Sequence, residues 1–348
     1  MSERLNVALI GCGEIAKVGA ECIKKAAHIR IVQCMDIRED LARDLAEFHG
    51  AASATGRLED VLNNADVQAV IISVPHYQHA PLSIAAAKAG KHVLVEKPIA
   101  CTLAQADEMI ASAAKAGVQL GVFHPSPFGF QSVKARELVR GGAIGEVVAV
   151  KLHETNNKPD SYWHGGFTGR AKDDWRISLA TSGGGYLIMN QIHNLSMMIE
   201  ILDPRPERIY AEYGTFRTKV EVEDFISFVM RLRGGAIVSL DGSSAAPGRG
   251  SFGDHIYGTK GQIDFGEPLK VTVTEPWGDL KVGQVNDLLP PEDFPDARTA
   301  AADGFARAIL EGRQVPIPGA HGRRALEIVR GAYLSMRSGG PLTFPIRE

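Results

Sequence analysis

Over the first third of the chain, short apolar runs alternate with stretches in which apolar residues recur at helical spacing. Such runs suit strands of a parallel sheet buried on both faces, and the stretches between them suit the helices that cover it. Leu5–Ile10, Ile29–Met35, Ala69–Val74, His92–Val95 and Gln119–Phe123 read as strands. Between them the pattern predicts a helix from Glu14 toward Ala27, with Ile15, Gly19, Cys22 and Ala26 on one stripe. A second helix turns Leu41, Leu45 and Phe48 inward, and a short one surrounds Leu58, Val61 and Leu62. Two more run from His79 to Ala89, closed by Gly90, and from Leu103 to Ala116.

The pattern then changes. Helix Gln131–Arg140, ended by Gly141-Gly142, leads into Val147–Thr155, which alternates apolar and polar residues like a half-buried strand. Lys158–Ser182 reads as a long loop, and Gly183-Gly184-Gly185 opens a helix from Tyr186 to Leu202. From Pro206 on, Ile209–Phe216, Phe225–Arg233, Ala236–Asp241, His255–Gly258, Gln262–Phe265 and Leu269–Thr274 alternate between glycine-rich turns, as in an antiparallel meander. Lys281–Ala297, proline-rich and acidic, reads as a surface loop, and helices Thr299–Leu310 and His321–Ser335 follow. The fold class is α/β: a doubly wound parallel sheet in residues 1–123, then an α+β domain with a large, mostly antiparallel sheet in residues 124–348. One C-terminal helix is expected to pack back on the first domain.

The chemistry starts where the first strand stops. Gly11-Cys12-Gly13-Glu14-Ile15-Ala16 reads G-x-G-x-x-A between a strand and a helix. That arrangement offers a tight turn, close approach to a pyrophosphate at Gly13, and helix N–H groups aimed at it. Asp36, ending the second strand, can accept both ribose hydroxyls of a dinucleotide and so favours NAD over NADP, although Arg38 could hold a 2′-phosphate and Asp36 could instead cap the next helix. Cofactor contacts are expected from Gly11, Cys12, Gly13, Glu14, Ile15, Asp36 and Arg38, and from the later strand ends at Ser73, Pro75, His79, Glu96 and Lys97. Lys97 follows a parallel strand at its carboxyl end, where it is placed to polarise a substrate hydroxyl or relay its proton. A solvated surface lysine is the alternative.

The 348 residues are 45% hydrophobic and 23% charged, enough for two ordinary cores. A net charge of -3 gives no reason to expect nucleic acid or an anionic membrane as partner, and no apolar run is long enough to span a bilayer. The glycine motif begins too early to leave room for a signal peptide. Four cysteines without C-x-x-C spacing suit a reduced, cytoplasmic protein, and no metal-ligand spacing is found. Tyr162, Trp163, His164, Arg170, Trp175 and Arg176 crowd the long loop, a composition that suits stacking on a sugar as well as a subunit interface. Apolar residues on both phases of Phe225–Val229 suggest a homodimer or homotetramer formed through the sheet.

GCGEIA (11–16), SVPHYQH (73–79), AAKAGKHVLVEKPIA (86–100) and SGGGYLIMNQIH (182–193) together resemble the glucose-fructose oxidoreductase / inositol dehydrogenase / MocA family. The likeness continues through Gly141–Val147, Asp174–Arg176 and the C-terminal helical segment. It implies a Rossmann domain and a sheet domain that together move hydride between NAD(P) and sugars, polyols or their derivatives. It also implies that His193 is the general acid/base, which in relatives is oriented by an aspartate four residues earlier. Here that position is Met189, with Asn190 and Gln191 as polar neighbours. Lys97 would then carry more of the proton transfer, or Glu154 would supply the missing charge. Relatives often carry arginine before the phenylalanine at 128, where this chain has Pro127. Lys97, His124, Glu154, Asn157, Tyr162, Trp163, Arg170, Arg176, Asn190 and His193 are the expected substrate contacts, with Lys97 and His193 flanking the reacting hydroxyl. Two other readings remain: a glycoside-cleaving enzyme that oxidises its sugar transiently on retained NAD, and a non-catalytic NAD or sugar sensor.

Overall fold

In the computed structural model, which describes residues 4–248 and 250–347, the apolar runs of the first domain are strands. They are β1 (Leu5–Ile10), β2 (Ile29–Met35), β3 (Ser53–Thr55), β4 (Ala69–Ile72), β5 (His92–Glu96) and β6 (Leu120–Phe123). All pair in parallel, in the order β3-β2-β1-β4-β5-β6. This is a doubly wound sheet whose order reverses between β1 and β4, and that reversal opens a crevice at the carboxyl ends of those two strands. β3 escapes the sequence pattern because Ser53-Ala54-Thr55 has no apolar run of its own; it forms by extending the edge of β2.

The chain divides into two compact units, and the first is not continuous: residues up to Pro125 are joined by Asp160–Gly183 and Asp296–Leu326. Helix Ala297–Leu310, capped by the Asp296 carboxylate on the N–H groups of Arg298 and Thr299, packs against helix Glu14–Lys25. Beyond it, Ile317 accepts a hydrogen bond from the N–H of Val122 at 2.9 Å, which covers the β6 edge. The stretch expected as a loop, Lys158–Ser182, contains two short helices, Asp160–Gly165 and Leu179–Ser182.

The second unit is built on a ten-stranded sheet. Its strands are β7 (Val147–Thr155), β8 (Pro206–Gly214), β9 (Phe225–Leu232), β10 (Ile237–Ser243), β11 (Ser251–Phe252), β12 (His255–Gly258), β13 (Gly261–Asp264), β14 (Leu269–Val273), β15 (Val285–Leu288) and β16 (Leu342–Thr343). The order is β15-β14-β13-β12-β7-β10-β9-β8-β16, with β11 on β7, and β7 and β10 are its one parallel pair among the described residues. β15 corrects the expectation of a plain surface loop. Four residues too polar to read as a strand pair with Leu269–Thr272, and the prolines lie just beyond them.

One face of the sheet is buried: Val150, Leu152, Ile226, Phe228, Met230, Val238 and Leu240 are all nearly inaccessible. The helix carrying His193 packs on this side, close enough that a β-carbon on Gly242 would lie 2.6 Å from Gln191 Nε2. On the opposite phase Val229 is 53% exposed, Tyr210 43% and Ile237 40%. The sequence pattern suggested one helix from Tyr186 to Leu202, but its winding is not uniform. Leu187–Gln191 forms a π turn and only Ile192–Leu202 is α-helical. The wider winding of a π turn interrupts regular α-helical spacing just before His193.

Candidate active site

Gly11 ends β1 at φ +88°, a left-handed conformation, and a β-carbon there would fall 2.4 Å from the carbonyl oxygen of Ser73 at the end of β4. The two strand ends are thus drawn together by the absence of a side chain. The N–H of Gly11 donates to Met35 O at 2.8 Å, and that of Cys12 donates to Asp36 Oδ2 at 2.7 Å. Helix Glu14–Lys25 starts at once, with no side chain capping its first turn. An uncapped helix N-terminus beside a glycine turn is a cradle for a phosphate. The residues present therefore fit the pyrophosphate of a dinucleotide.

Asp36 is held by two main-chain donors, Cys12 N–H and Arg38 N–H (2.9 Å), and keeps lone pairs for ribose hydroxyls. The helix after it begins at Glu39 without a side-chain cap, so Asp36 does not act as its cap. The Arg38 guanidinium is engaged by Asp40 at 2.7 Å and by the carbonyl of Arg170 at 3.2 Å.

Lys97, half-buried, follows β5. Around it burial controls protonation. The Glu96 carboxyl is pushed up by burial, with the Lys97 charge opposing, and its Oε2 accepts the Lys97 N–H at 3.2 Å. His79 is fully buried, with Nδ1 2.6 Å from Pro98 O and Nε2 3.0 Å from Val74 O, so both ring nitrogens face main-chain oxygens. It ties the turn after β4 to the turn that carries Lys97. Burial lowers its pKa to about 4, and burial drives His76 and His124 well below their ordinary range, with the Lys97 charge adding to all three. Three neutral imidazoles thus neighbour a cationic lysine.

In the same unit the His76 ring lies 4.4 Å from the Trp175 ring, and His76 Nδ1 is 2.7 Å from the carbonyl of Ser182. The Arg176 guanidinium, 6% exposed as a residue, stacks on Trp175 at 4.6 Å and on Tyr162 at 5.1 Å. Trp163 is buried beside Tyr162, and its indole N–H makes no hydrogen bond among the described residues. Tyr162, Trp163 and Arg176 are therefore gathered into one cluster. Arg170, expected with them on the substrate, lies elsewhere: its Nε donates to Cys12 O at 3.0 Å and its guanidinium pairs with Asp44 at 2.6 Å.

In the second unit His193 is half-buried in the first turn of its α-helix. Glu154, on β7, has its carboxylate bonded by Asn156 Nδ2 at 3.1 Å and its carbonyl by Gln191 Nε2 at 3.3 Å. Asn157 is exposed and bonds the Arg217 guanidinium. The carboxylate fastened next to the histidine position is Asp254, which accepts from Asn194 Nδ2 at 2.8 Å and from His153 N–H at 2.9 Å; burial raises it to about 6.

The triple glycine is also explained. Glu223, 3% exposed, accepts from the N–H groups of Gly185 (2.6 Å) and Leu187 (3.0 Å) and from the Tyr333 hydroxyl (2.7 Å). A β-carbon on Gly184 would meet that hydroxyl at 2.2 Å, and one on Gly185 would meet Glu223 O at 1.9 Å. Only glycine lets the helix start this close. Sequence reading missed Glu223, Tyr333 and Asp254. For Glu223 and Tyr333 the one trace in the chain was the glycine run; Asp254, held by Asn194 and the His153 N–H, left none.

Residues 5–124 match the model of an oxidoreductase family with an NAD-binding Rossmann fold, and residues 132–264 match the C-terminal domain of the same family. The chain belongs to this family, the Gfo/Idh/MocA oxidoreductases. It is 26% identical over 352 residues to the uncharacterized oxidoreductase YrbE of Bacillus subtilis (strain 168), covering 100% of this chain and 99% of that one. To the myo-inositol 2-dehydrogenase of Thermotoga maritima it is 26% identical over 339 residues, covering 95% and 96%. The crystal structure of the aldose-aldose oxidoreductase from Caulobacter crescentus, complexed with glycerol, superposes with a TM-score of 0.85 at 25% identity, over 98% of this chain and 100% of that one. Among the described residues no cluster could hold a metal ion, and no helix is long and apolar enough to cross a membrane.

Proposed function

We propose that this protein is an NAD(H)-dependent dehydrogenase or reductase acting on a CH–OH carbon of a sugar, a polyol or a sugar derivative. The observation that carries it is the glycine turn at the β1/β4 crevice, with Asp36 beside it and Lys97 at the end of the neighbouring strand. When bound there, nicotinamide would accept or deliver the hydride. Lys97 polarises the substrate oxygen and His193 exchanges its proton, with Asn190 as a polar neighbour. Arg176, Tyr162 and Trp163 supply a guanidinium, a hydroxyl and an indole donor against ring faces, a chemistry suited to polyols. NAD is favoured over NADP, because a 2′-phosphate would face the Asp36 carboxylate while Arg38 is occupied by Asp40. Residues up to 123 act in nucleotide binding, Tyr162, Trp163 and Arg176 of the same unit in substrate binding, and the sheet unit in acid–base chemistry and assembly. None of the four cysteines is in a disulfide, in keeping with a cytoplasmic setting.

An NADH absorbance screen over sugars and polyols, run with an assay for co-purified nucleotide, tests this. The expected result is NADH formation, or its consumption by the matching ketone, for at least one compound. Failure to bind NAD(H), with no turnover across the panel, overturns it.

The exposed face with Val229, Tyr210 and Ile237 is proposed as a contact between copies of this chain. Analytical ultracentrifugation is expected to show a species heavier than the 37.4 kDa monomer, and Val229→Asp to shift it toward monomer. A wild-type monomer at micromolar concentration overturns the assembly.

A further inference from the structure

Residues 165–172, which the sequence assigns to a loop of the second domain, fold onto the glycine-rich turn of the first unit. Thr168 donates its N–H to Glu14 Oε1 at 2.8 Å and its hydroxyl to Glu14 Oε2. Arg170 donates Nε to Cys12 O at 3.0 Å and pairs at 2.6 Å with Asp44, which also holds Lys17 at 3.0 Å. Its carbonyl accepts from the Arg38 guanidinium at 3.2 Å. Directly after the second anchor, the Ala171 methyl lies 3.3 Å from where a β-carbon on Gly13 would be. Gly166 and Gly169, at φ +76° and +65°, give the backbone the bends it needs, and a β-carbon on Gly166 would be 3.0 Å from the Glu14 carboxylate.

We propose that Thr168 and Arg170 pin a strap across the dinucleotide pyrophosphate, and that opening this strap sets the rate at which the cofactor leaves. The proposal rests on the dinucleotide reading given above. A pyrophosphate on the Gly13–Ile15 N–H groups lies at the place the strap covers. It therefore departs only when bonds to two charged side chains, Glu14 and Arg170, have broken. Closure also removes water from the turn, which strengthens every contact the phosphates make there. A cofactor held this way stays with the protein through successive encounters with substrate.

Stopped-flow fluorescence of NADH, chased with excess NAD, reads the release rate directly, and equilibrium titration gives Kd. Thr168→Ala and Arg170→Gln are each expected to speed release by about tenfold or more, with Kd weakening alongside. Asp44→Asn frees Arg170 from its far side without touching the turn and is expected to act in the same direction, guarding against a variant that merely misfolds. NADH that binds but leaves all variants at the wild-type rate overturns the strap and leaves the dinucleotide reading intact. Tighter binding with faster association in the variants overturns it too, because the segment would then be a plug that excludes the cofactor. Wild-type protein that binds no NADH overturns both.

Discussion

Lys97→Ala is expected to lower kcat by about 10²-fold or more while leaving NADH affinity within a few-fold of wild type, and His193→Ala to do the same. The reasoning differs for the two. Lys97 sits on a turn fixed by His79, among imidazoles that burial keeps neutral. Those rings carry no charge of their own to set against it, and at the carboxyl end of its strand the ammonium is placed to act on a developing alkoxide. Removing it takes away stabilisation that grows as the hydroxyl loses its proton, so the loss falls on kcat more than on KM. His193 has Met189 four residues before it and opens the α-helix that follows the π turn Leu187–Gln191. Steady-state kinetics at several pH values, with NADH titration by fluorescence, measures both effects. Unchanged turnover in both variants would eliminate the acid–base assignment.

Glu223→Ala is expected to cost on the order of 3 kcal/mol of stability, because it strands the N–H groups of Gly185 and Leu187 and the hydroxyl of Tyr333 inside the protein. The same carboxyl should leave a signature in pH. Burial raises its pKa from 4.5 to about 7, against the pull of its three donors. The folded state therefore binds the proton more tightly than the unfolded chain. The stability this adds is fully present below the unfolded value of 4.5 and is lost as pH rises through about 7. Relative to Glu223→Gln, which does not titrate, wild type should lose on the order of 3 kcal/mol across that window. Thermal melts of both proteins at a series of pH values test it. Parallel stability curves would mean that the carboxyl does not hold its proton, and that its part is to cap the helix as an anion.

What could be read from the chain follows from the range of the forces involved. β1, the glycine turn and Asp36 were legible because each is specified by neighbours in sequence: an apolar run, two glycines, one acid at a strand end. The sheet of the second unit showed in alternation, since one buried face imposes period two on Val147–Thr155 and Phe225–Leu232 alike. Long-range partners left no such imprint. Glu223 reaches Tyr333 across 110 positions and Gly185 across 38, and only the fold brings them together. Arg170 was misplaced for the same reason. Its neighbours in sequence are the residues of the aromatic cluster, while its partners in space are Cys12 and Asp44. The π turn was hidden because a single extra residue per turn barely disturbs an apolar stripe when nearly every position is buried.

The β6 edge is met by Ile317 and Pro318, which follow it in the chain only after strands β7 to β15. A ribosome has therefore released all six parallel strands long before the stretch that closes them exists. Until it arrives, the nascent sheet carries an open hydrogen-bonding margin, so the earliest strands made wait for a segment translated after most of the second unit.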